Sequence, residues 1–155
     1  MERSDHADLA EQIGVAFPRV PVAVAEDIVA GNHAENATIV DRLEEYSDGV
    51  RPIPLETITY FQDSLPSFSV AGLQLVLGQF LLAALALPKD SAVGEFVIYR
   101  LAHAGRRDIE SCARLGWFSE VQRNVLCAFL CEYAEQNDYD PAAVADARRF
   151  VCDEV

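Results

Sequence analysis

The sequence predicts an all-α domain, a compact bundle of about seven or eight helices around a central apolar helix near residues 66–87. Three observations lead there. Apolar residues recur at helical spacing along most of the chain, capping residues and prolines punctuate those segments, and no charge falls between Ser64 and Pro88. The 155 residues fit one domain, 1–155, and folding at that size buries about 68–70% of the surface an unfolded chain exposes. A hydrophobic fraction of 51% against 24% charged excludes an intrinsically disordered chain, which lacks the apolar surface to offset the entropy of ordering.

The elements follow in order. Ser4 or Asp5 caps a first helix to about Phe17, with Leu9, Ile13 and Ala16 inward, and Pro18 and Pro21 stop it. A second helix is expected from Pro21 to Gly31, burying Val24, Ile28 and Val29, and a third from Glu35 to Tyr46, burying Ile39, Val40 and Leu43. Residues 47–65 read as a linker with one helical turn at Leu55–Tyr60; Ile58, Tyr60 and Phe61 are also compatible with a strand. After the central helix, Ser91 caps a helix to Ala104, with Val93, Phe96, Val97, Tyr99 and Leu101 mostly inward. A short helix follows at Arg107–Leu115. Ser119 and Gln122 form a capping box on a long helix to Asn137 that carries Val121, Val125, Leu126, Phe129, Leu130 and Tyr133, and Asp140-Pro141 opens the last one.

The central stretch is long enough to raise the question of a membrane span. Gln74 and Gln79 interrupt it, its flanks lack Lys/Arg clusters apart from Lys89, and the amphipathic segments elsewhere need an apolar partner. It therefore reads as a core helix, with Ser69 as N-cap and Gly72 and Gly78 admitting neighbours closely.

Charge sets the functional expectation. Asp and Glu number 25 against 12 Lys and Arg, a net −13, and the excess sits at the two ends: 11 acids to 3 bases in residues 1–50, 4 to 3 in 51–100, 10 to 6 in 101–155. Such a surface repels phosphate backbones and anionic headgroups, so neither direct nucleic-acid nor membrane binding is expected. It attracts basic proteins. The four cysteines, Cys112, Cys127, Cys131 and Cys152, together with an opening MERSDHADLAEQ that is unlike a signal peptide, suggest a cytoplasmic protein with reduced thiols.

Catalytic signatures are scarce. GxSxG, HExxH, P-loop and GxGxxG patterns do not occur. Cys127 and Cys131 share a helix face, but the ligand set of a structural zinc site is missing, and no metal or cofactor is expected. Glu95, Tyr99 and His103 follow i, i+4, i+8 spacing, which can align a carboxylate, a phenol and an imidazole; a half-exposed helix face is the simpler reading. Trp117-Phe118 reads as a hydrophobic staple rather than an exposed anchor, and Arg106-Arg107 as a pair neutralised by Asp108 and Glu110.

The segments LPSFSVAGLQLVLGQFLLAAL and WFSEVQRNVLCAFLCEY resemble a bacterial family of small helical domains of unknown function. In that family an F-L-S/T-P-E-G-F-R-Y-Y-L-P-A-Y-L segment precedes an F-T-x-x-Q-x-x-A-I-x-x-F-L-x-Y segment. Phe68, Ser69, Gly72, Leu77 and Leu81 match the first, Phe118, Gln122, Phe129, Leu130 and Tyr133 the second, and IGVAFPRVPV is similar to the family's start; Leu75, Val76 and Gly78 depart from it. The resemblance implies a helical fold and a bacterial cytoplasmic setting. Small acidic single domains of this type are also similar to the immunity proteins that accompany secreted toxins. The expectation is a non-enzymatic binding protein that covers the active site of a basic toxin, one acting on nucleic acid being the simplest case. Its contacts would be Asp41, Glu44, Glu45, Asp48, Glu132, Glu135, Asp138 and Asp140. A small helical adaptor using Trp117 is the alternative, and a small-molecule enzyme using the Glu95 row is a third.

Overall fold

In the computed structural model, which describes residues 2–86, 92–137 and 140–152, eight α-helices follow one another: α1 (Glu2–Ala16), α2 (Asn36–Leu43), α3 (Leu55–Tyr60), α4 (Val70–Ala86), α5 (Val93–Gly105), α6 (Ile109–Leu115), α7 (Glu120–Asn137) and α8 (Pro141–Val151). Short 3-10 turns at Ala25–Ile28, Glu44–Tyr46 and Leu65–Ser67 connect them. Among the described residues there is no strand, only an isolated antiparallel bridge between Val29 and Phe68. The fold is an all-α bundle.

The central helix is buried on nearly every side. Ten of its 17 residues are buried, and because they include Leu75, Val76, Leu77, Phe80, Leu81 and Ala84 they cover the full turn of the helix rather than one stripe. Around it pack α1, α3, α5, α6 and the Ala25–Ile28 turn. The least buried stripe runs Ala71, Gln74, Leu82 and Leu85, and Gly78 on that stripe is where Phe17 leans in. A Cβ on Gly78 would lie 2.7 Å from the Phe17 carbonyl oxygen, and one on Gly72 would collide with the Ile28 carbonyl. Both glycines are therefore sites of close backbone approach. Among the described residues no helix is long and apolar enough to cross a membrane.

Several ends are set by local chemistry. Ser69 Oγ accepts from Gly72 N at 2.9 Å, so α4 begins at Val70 and Pro66 falls in the preceding turn. The capping box on α7 is complete: Gln122 N donates to Ser119 Oγ at 3.1 Å and Ser119 N to Gln122 Oε1 at 2.9 Å. Asp140 accepts from Ala142 N at 3.0 Å with Pro141 in the first turn of α8. Asp108, not Arg107, caps α6. Helix α1 extends back to Glu2, ahead of the predicted caps; the side chains of Ser4 and Asp5, like all of Ser91, lie outside the described residues.

Two expectations are corrected. The second predicted helix is an extended segment with one 3-10 turn: of its predicted inward residues Val24 is half exposed, Val29 only partly buried and Ile28 fully buried. Its backbone groups find partners elsewhere in the fold. Val20 N donates to Gln74 O, Val22 N to Ser47 O, Ala30 N to Ser67 O, and Ile28 O accepts from Ser69 N. Pro18 and Pro21 remove two donors and four valines favour extended backbone, so these tertiary bonds win over helix. The second correction concerns position: Val121, expected inward, is 61% exposed, because α7 meets α1 and α8 along Val125, Leu126, Phe129 and Leu130.

The α5–α8 interface is the most extensive in the bundle. Gly105 backs onto the Asp146 backbone, and Arg106 Nε donates to Asp146 at 2.6 Å, a carboxylate that also takes Arg149 at 2.7 Å. Arg106 is thus neutralised by α8 rather than by its sequence neighbours.

Candidate functional site

The acidic stripe of α2 faces solvent. Ile39 and Leu43 anchor the helix in the core, which turns Asp41, Glu44 and Glu45 outward. Asp41 and Glu44 join Glu26, from the Ala25–Ile28 turn, around a cleft of about 450 Å³ that also takes in Val29, Val40 and Asn36. Among the described residues no cation pairs with Glu26, Asp41 or Glu44. The other two members of the predicted cluster are engaged: Glu45 lies 3.2 Å from Arg51 Nη1, and Asp48 accepts from Val50 N at 2.9 Å and Arg51 N at 3.2 Å. Those backbone donors hold the Asp48 carboxyl below its ordinary range. The frame beneath is firm. Arg19 donates to the backbone oxygens of Tyr46 and Arg51, Arg42 stacks over Tyr60 at 4.4 Å, and Glu35 accepts from Ser64 and Ser67, fixing the start of α2 to the Leu65–Ser67 turn.

Of the second predicted cluster, Glu132 stands on α7 and Asp140 at the start of α8, helices that pack on α1, α5 and each other, whereas α2 packs on the Ala25–Ile28 turn. Asp140 is the N-cap of α8 and Glu132 is half-buried. The Glu135 side chain and Asp138 lie outside the described residues. Glu26, absent from the predicted set, reaches this face because its segment folds as a 3-10 turn instead of the expected helix.

A second cleft, of about 470 Å³, opens between the 63–66 segment and α5, with Leu65, Pro66, Phe96, Tyr99, Arg100 and His103 among its lining. It gathers two members of the Glu95, Tyr99, His103 row; Glu95 is not part of it. Arg100, which sequence reasoning missed, is its half-buried cation. Its Nη1 donates to Ser111 Oγ at 3.0 Å, and burial pulls its pKa down, with Glu110 opposing. The available signal was an arginine set among the inward residues Val97, Ile98 and Leu101.

The remaining candidates have structural places. Cys127 and Cys152 form a disulfide with Cα atoms 5.4 Å apart, which corrects the expectation of four reduced thiols; the packing of α8 along α7 brings them together across 25 residues. Disulfides persist in oxidising surroundings, so cysteine usage no longer argues for the cytoplasm. Cys112 and Cys131 are free, and among the described residues no group of three His, Cys, Asp or Glu can hold a metal ion. Trp117 and Phe118 turn inward: both meet Phe17 edge-on at 6.3 and 6.0 Å, and Phe118 meets Phe150 at 6.2 Å. Trp117 Nε1 donates to Arg114 O at 2.8 Å. The pair joins Phe17, at the end of α1, to Phe150 of α8, with Phe118 buried and Trp117 half-buried. No protein-family model matches the chain, and neither a curated protein nor a solved structure does.

Proposed function

We propose that the chain is a non-enzymatic binding protein for a basic protein partner, in its sharpest form an immunity protein that neutralises a bacterial toxin by covering a basic active site. The observation that carries this reading is the set of uncompensated carboxylates of Glu26, Asp41 and Glu44 around an apolar-floored cleft, in a chain of net charge −13. Surface carboxylates with no partner of their own are free to pair with incoming Lys or Arg, and Val29 and Val40 supply apolar area that a purely solubilising stripe does not need. Like charges held close also repel one another, a cost that a cationic partner removes. Toxins that act on nucleic acid carry basic clefts for their anionic substrates, which makes them the partner class of best charge complementarity. The resemblance of two segments to small bacterial helical domains is in keeping with this reading.

The test is co-expression with the basic proteins encoded beside the gene. A toxic neighbour should be neutralised by the wild-type chain and not by Glu26→Lys/Asp41→Lys/Glu44→Lys. If the triple variant protects equally well, the α2 face is not the binding surface. If no neighbour is toxic or binds, the immunity reading fails.

A further inference from the structure

We infer that the groove between α1 and α7 docks a basic amphipathic helix of a partner protein, its apolar edge on α7 and its cationic edge on α1. The C-terminal end of α1 meets the N-terminal end of α7, where Gln122 Nε2 donates to Ala16 O at 2.9 Å. Between the two helices lies a cleft of about 450 Å³, with Asp8, Glu11 and Val15 on one wall and Val121, Asn124 and Val125 on the other. Val15 is 76% and Val121 61% exposed. A single exposed valine is ordinary surface, but two that share one concave site leave apolar area in water where another element can cover it.

The two walls differ in chemistry. Along α7, Val121, Asn124, Ala128 and Cys131 are exposed and recur at i, i+3, i+7 and i+10, one uncharged stripe of the helix. Along α1, Asp8, Glu11 and Val15 are exposed at i, i+3 and i+7, so this wall is acidic. Among the described residues no cation pairs with Asp8 or Glu11, and none lines the cleft. Arg123, the one basic residue of α7, stands two positions from Val121 and therefore on another face of the helix.

These walls select the occupant. A helix laid in the groove between two others packs with its axis about 8–10 Å from each. Apolar side chains one turn apart then reach Val121 and Ala128, while Lys or Arg along the flanking edge reaches Asp8 and Glu11. A second copy of the chain does not fit: it also carries a net charge of −13, and its own α1 would set acids against acids. An anionic segment is repelled for the same reason. The groove shares no residue with the α2 cleft, so charge reversal at Glu26, Asp41 and Glu44 leaves it intact and the two proposals fail separately.

Two-dimensional NMR titration of the full chain with a short amphipathic peptide of Leu and Lys, and separately with the same peptide carrying Glu for Lys, tests it. The Leu/Lys peptide should give saturable shifts at Gln12, Val15, Val121 and Asn124, and the Leu/Glu peptide none. Val15→Ser/Val121→Ser should weaken the Leu/Lys peptide about tenfold or more while remaining folded by its amide spectrum. Should that variant not fold, Asp8→Lys/Glu11→Lys must weaken the peptide by about the same factor. Glu26→Lys/Asp41→Lys/Glu44→Lys should leave the shifts in place. Shifts that do not saturate or fall only on the α2 cleft, undiminished binding by the variant, or Leu/Glu peptide binding as tightly as Leu/Lys would overturn the assignment, as would self-association of the wild type that Val15→Ser/Val121→Ser abolishes.

Discussion

Replacing Cys152 with serine opens the Cys127–Cys152 crosslink and removes a constraint on the unfolded chain. The bridged residues are 25 apart in sequence, and closing a loop of that length lowers the entropy of the unfolded ensemble enough to contribute about 3.5 kcal/mol at 25 °C. For a domain of this size each kcal/mol moves Tm by about 2–4 °C, so Cys152→Ser should melt about 7–14 °C below wild type. The loss concentrates at the C-terminal end of the bundle, because the crosslink ties α8 to α7 while α8 packs chiefly on α5. Thermal unfolding followed by far-UV circular dichroism, with and without dithiothreitol, measures it. Reductant should lower the wild-type Tm by a similar amount and leave Cys152→Ser unmoved. Alkylation of the denatured, unreduced protein should label two cysteines, Cys112 and Cys131. Four labelled thiols in protein purified without reductant, or a Cys152→Ser Tm within about 2 °C of wild type, would refute the reasoning.

Other perturbations separate structural from functional acids. Asp140→Ala removes the α8 cap and should cost about 1 kcal/mol in denaturant unfolding, with no effect on partner association. Asp146 has its carboxyl held below the ordinary range, first by the hydrogen bond from Arg106 and further by Arg149, against desolvation. A depressed folded-state pKa stabilises above the unfolded value and that contribution is lost as pH falls through the folded one; the Tm gap between wild type and Asp146→Asn should therefore be full at pH 6 and shrink below about pH 4. A gap constant down to pH 2 would contradict it. Gly72→Ala puts a methyl into the Ile28 carbonyl and should destabilise by about 1–3 kcal/mol, measurable as a lower urea midpoint.

Much of the bundle was legible because its signals are local. The uncharged run from Ser64 to Pro88, the Ser119/Gln122 box and the Asp140-Pro141 start each specify an element by chemistry within a few residues, and each stands in the structure. The segment 18–30 was misread for the opposite reason. Its apolar spacing suits a helix, but the prolines remove donors and the remaining backbone groups bond to Ser47, Ser67, Ser69 and Gln74, partners that no window of sequence contains. The crosslink was hidden likewise: the i, i+4 pair Cys127 and Cys131 drew attention, while the bonded pair depends on how α8 lies along α7. Of the predicted contact residues, the exposure of Asp41 and Glu44 follows from helical phase, whereas Glu26 joins them only through the fold. Asp140 was acidic for its own helix, and Arg100 showed only as an arginine among buried neighbours.

The central claim is that uncompensated acids on the α2 face meet a basic protein. Its most direct measurement is the stopped-flow association rate with the cognate partner across 20–500 mM salt, for wild type and the Glu26→Lys/Asp41→Lys/Glu44→Lys variant. Wild-type association should slow steeply as salt rises, at least tenfold over that range, and the variant should associate at least tenfold more slowly at low salt with a flattened dependence. Equal rates and equal salt slopes for the two proteins would contradict the claim.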